Sequence, residues 1–246
     1  MIAFLKHMTI QFKLGLRDKT LLIDFYIVPL GFYLIMGSVM SSINPQYMHT
    51  LITSLIAFGV TMGALQGVSA PLSKLREGGT LRSYRVIGIP EHSVLLTELL
   101  STFLHLLIMS VIILVTAPIF FKADYPKNFI LFFAVLFLFI LATTAAGMLI
   151  GVIFSSHMAA MFSTVVFVFS VMVSGMMFEP SMLPKVLMYI GRILPATYAV
   201  QAFNGLAFGI STDFSAAIAI SALTASGVVC GIFCVVRFIA MGRESV

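Results

Sequence analysis

From Asn128 to Phe178 the chain carries no Asp, Glu, Lys or Arg, and His157 is the one titratable group in that stretch. A segment so free of charge has lipid for its solvent. A transmembrane helix needs about 20 apolar residues to cross about 30 Å of hydrocarbon, so the stretch is too long for one crossing and suits two. Ser155-Ser156-His157 is the natural turn between them.

The rest of the chain has the same character. Hydrophobic residues make up 60% of the 246 positions and charged residues 9%, with a mean hydropathy of +1.11. A soluble domain carries about a quarter charged residues. Backbone polar groups in hydrocarbon must be satisfied internally, which leaves helices or a closed barrel, and long apolar runs without period-two alternation select helices. The expected fold is an all-α integral membrane protein, a single domain over residues 1–246. Six spans are predicted, at Thr20–Ser42, Thr50–Leu72, His92–Phe120, Asn128–Ser155, Met158–Phe178 and Phe214–Ile239.

Both ends then lie on one side. Lys6, Lys13, Arg17 and Lys19 before the first span, Lys74, Arg76, Arg82 and Arg85 after the second, and Arg237 and Arg243 at the end share a compartment, which the positive-inside rule makes the cytoplasm. Lys122, Lys127, Lys185 and Arg192 fall opposite. The net charge of +5 is thus explained by topology and does not point to nucleic acid. The apolar run after Thr20 exceeds a signal-peptide core and reads as a retained first span. Cys230 and Cys234 stand four apart in a span with no His or carboxylate nearby, and read as small packing residues rather than metal ligands.

Three segments are not plain spans. Over residues 1–19, Leu5, Met8, Phe12 and Leu16 repeat at helical spacing while Lys6, Lys13 and Arg17 take another stripe, the pattern of an interfacial helix on the inner leaflet. It reads as an anchor or as a lever beside a cytoplasmic partner, and the two are compatible. Over residues 73–90, Gly78-Gly79 ends the helix leaving span two, Gly88 and Pro90 open span three, and the short piece between shows Leu81, Tyr84 and Ile87 on one stripe and Arg82 and Arg85 on another. A short helix boxed by glycines is either an ordinary loop or a shape for docking into another protein. Over residues 179–208, Pro184 and Pro195 look like first-turn prolines of two half-helices, too short to cross, which form a re-entrant hairpin or an external gate ending near Gln201 and Asn204.

The turn Arg76-Glu77-Gly78-Gly79-Thr80-Leu81 before Gly88-Ile89-Pro90, with Ser174-Gly175, Leu183-Pro184 and Leu194-Pro195-Ala196-Thr197-Tyr198 before the last span, resembles the type-2 permease subunits of ABC transporters, closest to the drug- and antibiotic-exporting branch. Many relatives carry an acidic residue where this chain has Arg82. The resemblance implies a non-catalytic permease in a bacterial plasma membrane, with a second permease copy or a sibling completing the pathway. It implies ATPase coupling through Glu77, Gly78, Gly79, Thr80, Leu81, Arg82, Tyr84 and Arg85, and an outer gate near Glu179, Tyr189, Arg192 and Tyr198. No Gly-x-x-x-x-Gly-Lys-Ser/Thr stretch exists in the sequence, so ATP and Mg are expected on a separate ATPase subunit and no cofactor on this chain.

Within the spans, Glu98, Ser101, Thr102 and His105 lie on one side of span three and Gln66 lies in span two. An ionised group at mid-bilayer costs about 2.5–3.5 kcal/mol, so Gln66, Glu98, Thr102 and His105 read as lining a wet translocation pathway; alternatively Glu98 snorkels to water and His105 makes an interhelical hydrogen bond. Gly59, Gly63 and Gly67, and Gly147 with Gly151, recur at spacing that lets helices approach closely. The 16 Met and 23 Phe supply either a pliable lining for lipophilic cargo or ordinary lipid-facing surface. The expected cargo is an amphipathic or lipophilic compound moved outward. A lipid-linked polysaccharide or peptide cargo is the alternative, and an ion-coupled carrier or an intramembrane enzyme stands further off, because no inverted repeat or catalytic motif is legible.

Overall fold

A computed structural model describes residues 2–43, 48–78, 84, 91–178 and 182–244. All regular structure among them is helical: α1 (Ile2–Arg17), α2 (Lys19–Leu22), α3 (Val28–Ile43), α4 (Leu51–Glu77), α5 (Glu91–Phe121), α6 (Phe129–Ile153), α7 (Ser156–Val173), α8 (Lys185–Gly191), α9 (Pro195–Ala202) and α10 (Ala216–Glu244). Two wider π-helical turns, Ile23–Ile27 and Phe203–Phe208, join α2 to α3 and extend α9.

Among the described residues, six helical stretches are long and apolar enough to cross a membrane: Lys19–Ser42, Leu51–Glu77, Ser93–Phe121, Phe129–Ile153, Ser156–Val173 and Ala216–Ala240. The all-α membrane fold is therefore as the sequence predicts, with informative differences at the ends. The fifth span stops at Val173 rather than Phe178, because Ser174 closes the helix and Gly175 turns the chain at φ 87°, a conformation open to glycine. His157 lies inside α7 and not in the turn, which is made by Phe154 and Ser155 in extended conformation. Pro195 is the first residue of its helix, while Pro184 precedes α8 as its N-cap. The last span opens at Ala216, two residues late.

Asp18 sets the boundary between α1 and the first span. Its carboxylate accepts from the backbone N–H of Thr20 at 2.8 Å and of Leu21 at 3.4 Å, capping α2 just after α1 ends.

The core is built around α4, whose apolar window is 89% buried against 17–50% for the other spans, so α4 is the axle and the rest are its sleeve. It packs on α3, α5, α6 and α7, and α6 in turn packs on α5 and α10. The closest approach is α4 to α6. A Cβ on Gly147 would run into the backbone carbonyl of Ala64, and one on Gly151 would sit 2.6 Å from the Ser69 carbonyl oxygen, so the two helices touch backbone to backbone. Gly59, Gly63 and Gly67 instead face the side chains of Met109, Leu106 and Phe25. Between Gly191 and Pro195 the chain bends by 89°, so α8 and the α9 stretch form a broken pair, the half-helix arrangement expected from the prolines.

These contacts rank the glycines. Gly147→Leu must displace backbone and is expected to cost about 1–3 kcal/mol, whereas Gly59→Ala presses chiefly on the flexible end of Met109, with Pro29 Cβ at 3.3 Å, and costs less. Thermal unfolding of the detergent-solubilised protein, at about 2–4 °C per kcal/mol for a chain of this size, checks the order.

Candidate functional site

In a bundle this apolar, the polar side chains that are held inside mark the joints. The first joint ties α1 to α5. Gln11 Nε2 donates to Glu98 Oε2 at 2.5 Å, and Glu98 is only 8% exposed. One helical turn further on Thr102 is buried, and after that His105, 1% exposed, lies between two rings: Phe12 of α1 with centroids 4.4 Å apart and Phe25 of the first π-turn at 5.0 Å, both stacked. The Tyr26 hydroxyl and His105 Nδ1 share a hydrogen bond of 2.9 Å. Gly15 of α1 faces the Nε2 edge of the imidazole, where a Cβ would stand 2.6 Å from Nε2. The polar stripe of α5 thus faces α1 and the first span in a packed seam. Of the four residues expected along a wet pathway, Glu98, Thr102 and His105 are in or beside that seam, and Gln66 is half-buried on α4. The stripe predicted for α1 shifts accordingly: Gln11, Phe12 and Gly15 pack inward, while Ile10, Leu14 and Leu16 are exposed.

The second joint stands at the basic end, where α4 leads into the loop toward α5. Ser73 Oγ donates to the carbonyls of Gly151 at 2.7 Å and Phe154 at 3.0 Å. The Arg76 guanidinium donates to Phe154 O at 2.8 Å and also to Val152 O. Glu77 Oε1 accepts from the backbone N–H of Ser156 at 3.2 Å and lies 3.9 Å from Arg76 Nη2. The last carbonyls of a helix and the first N–H groups of the next lack partners within the helix. Here one dipeptide serves both, the cation at the negative end of α6 and the anion at the positive end of α7, each contact worth about 0.3–1 kcal/mol. The sequence carries a trace of this: α6 has no basic residue in its last turn and α7 no acidic residue in its first. Of the residues expected to couple to an ATPase, Glu77 caps α7, Gly78 ends α4, and Tyr84 is half-buried. Gly79, Thr80, Leu81, Arg82 and Arg85 lie outside the described residues.

The third joint is at the opposite end. The Arg192 guanidinium sits 5.0 Å over the Tyr189 ring and 5.4 Å over Phe214, and Tyr198 packs on Phe214 at 5.5 Å. Three residues expected at an outer gate therefore converge, with Phe214 as the hub that the sequence reading assigned to the last span. Glu179 lies outside the described residues. Next to them, Gln201 accepts from the Asp213 N–H at 3.0 Å and donates to its carboxylate at 3.3 Å.

Two cavities stand out, one wholly apolar and one with Thr50 and Ser54 among its apolar lining. One, of about 280 Å³, runs between α5, α6 and α10 past Leu95, Leu99, Met148, Gly231 and Cys234. The other, about 40 Å³, collects Met36, Met40, Met176 and Met177 around Phe32 and Phe58.

The profile of the ABC-2 type transporter family matches residues 4–208, from α1 to the end of the second π-turn, and so takes in the first two joints and Tyr189, Arg192 and Tyr198 of the third. The chain belongs to the ABC-2 type transporter family. No curated protein matches it significantly. This ABC-2 chain is accordingly a permease subunit of an ABC transporter: members of the family form its membrane component and pair with an ABC ATPase subunit. The likeness read from the Arg76–Leu81 turn and the proline-bounded half-helices is thus a family membership.

In this ABC-2 bundle, Gln11→Ala strands a buried carboxyl and is expected to cost about 1–3 kcal/mol, while Tyr26→Phe removes one hydrogen bond at about 0.5–1.5 kcal/mol. Thermal unfolding of each variant gives the ranking. A Gln11→Ala protein as stable as wild type would mean that Glu98 reaches water by another route.

Proposed function

We propose that this permease works in an exporter, moving an amphipathic or lipophilic compound out across a bacterial plasma membrane with its basic end toward the cytoplasm. Two copies, or one copy and a sibling, form the pathway. The 73–90 loop, with Gly79, Thr80, Leu81, Arg82, Tyr84 and Arg85, and α1 dock on ATPase subunits that bind ATP and Mg. Closure of the ATPases displaces the loop and tilts α4 and α5, opening the bundle toward the Tyr189, Arg192 and Tyr198 cluster, where Glu179 joins the outer gate.

The observation that carries the cargo class is the 280 Å³ groove. Leu95, Leu96, Leu99, Ala145, Met148, Gly231, Cys234 and Val235 offer it hydrocarbon and thiol groups and no hydroxyl, amide or charge. A sugar or peptide backbone brought there would lose hydrogen bonds to water without replacement, whereas an alkyl or aryl group gains by burial. Polar Glu98, Thr102 and His105 then shape the pathway wall through their seam, and Gln66 contributes from α4.

Mild-detergent pull-down of the tagged chain is expected to bring down one ABC ATPase at equal stoichiometry. Inverted vesicles holding the pair are expected to accumulate the lipophilic dye Hoechst 33342 only with ATP. A Cβ on Gly231 meets nothing within 4 Å, so Gly231→Phe enters the groove from an unobstructed backbone position. It is expected to keep stability within about 0.5 kcal/mol and to lower dye accumulation several-fold. Dye accumulation unchanged in Gly231→Phe would remove the groove from the pathway, and dye accumulation independent of ATP would remove the exporter reading.

A further inference from the structure

The joint at the basic end has a consequence for how force moves through the bundle. Arg76 and Glu77 sit in the last turn of α4, directly before the loop that meets the ATPase on the functional reading above, on which this inference rests. Yet both reach sideways to the α6–α7 turn: Arg76 to the carbonyls of Val152 and Phe154, Glu77 to the amide of Ser156, with Ser73 one turn back on Gly151 and Phe154. We infer that Ser73, Arg76 and Glu77 are positioning residues that clamp the α6–α7 turn to the end of α4, so that any displacement of the 73–90 loop is delivered to the fourth and fifth spans as well as to the second.

Three features support a rigid clamp. The bonds fall on the C-terminal end of α6 and on the N-terminal end of α7, so the turn is fixed in direction as well as in place. They use backbone groups at helix termini, which have no partner within their own helices. Immediately above the clamp, Gly151 lets α6 lie against the α4 backbone at Ser69, and α7 packs along α4 as well. Spans two, four and five are thus one body from the turn upward. Glu77 acts here as an acceptor for an N–H, a role that an uncharged amide oxygen can also fill.

The test uses the chain with its ATPase in nanodiscs, with Cys230 and Cys234 replaced by alanine and spin labels on Lys74→Cys and His157→Cys, both at exposed positions flanking the clamp. Electron–electron double resonance is expected to give one narrow distance that does not change when nucleotide is trapped with vanadate. Arg76→Ala with Glu77→Ala is expected to broaden that distance and make it shift on trapping, with the ATPase still bound. Glu77→Ala alone loosens the pair, and Glu77→Gln restores the narrow distance, so the clamp remains testable if the double variant does not fold. Loss of the ATPase from the Glu77 variants would overturn the inference, by making Glu77 a foothold for the partner instead. An unchanged distance in Glu77→Ala, or a parent pair that separates on trapping, would overturn it equally. If the parent retains no ATPase, the exporter reading fails separately, and the narrow-to-broad change in the chain alone still decides the clamp.

Discussion

The contact on which the rest depends is the one between α4 and α6, where Gly147 and Gly151 bring one helix backbone against another. In lipid the hydrophobic effect does not press helices together, so association rests on close packing and on the few polar bonds available. A glycine pair that admits the backbone of Ala64 and Ser69 supplies the first. Ser73, Arg76 and Glu77, further along the same helix, supply the second. Packing and polar bonding thus fall on one seam, and the axle α4 is held from its middle to its basic end.

The other polar joints are placed where helices meet at an angle or change direction. Glu98 and His105 hold α1 against α5 beside a π-turn that widens the first span around Asp24 and Phe25. Arg192, Tyr189, Tyr198 and Phe214 gather where the chain has bent by 89°. Between these joints the surfaces are apolar and adaptable, with methionines at one cavity and aliphatic groups along the other. Rigid joints separated by pliable walls suit a machine that changes shape around cargo while its helices stay whole.

Much of this was legible in the chain itself. Long apolar runs gave the six spans because lipid leaves a polypeptide so few options, and Gly78, Gly175 and Pro195 marked turns through local backbone chemistry. What could not be read was which partner each polar group would find. Nothing in the sequence around Gln11 names its partner, Glu98, 87 positions away. Glu77 fitted a docking loop by its neighbours in sequence, yet it serves a helix end 79 positions on. Phe214 read as the first residue of a span and became the hub of an aromatic cluster. Each case is a long-range pairing, and periodicity carries no information about those.

The central claim is that α4 and α6 move as one body whatever the rest of the bundle does. Cryo-electron microscopy of the assembled transporter, nucleotide-free and vanadate-trapped, measures this directly through the backbone separation of Ala64 and Gly147. The account expects the same contact in both states while other helices change place around it. A gap opening between those two residues in either state would contradict it.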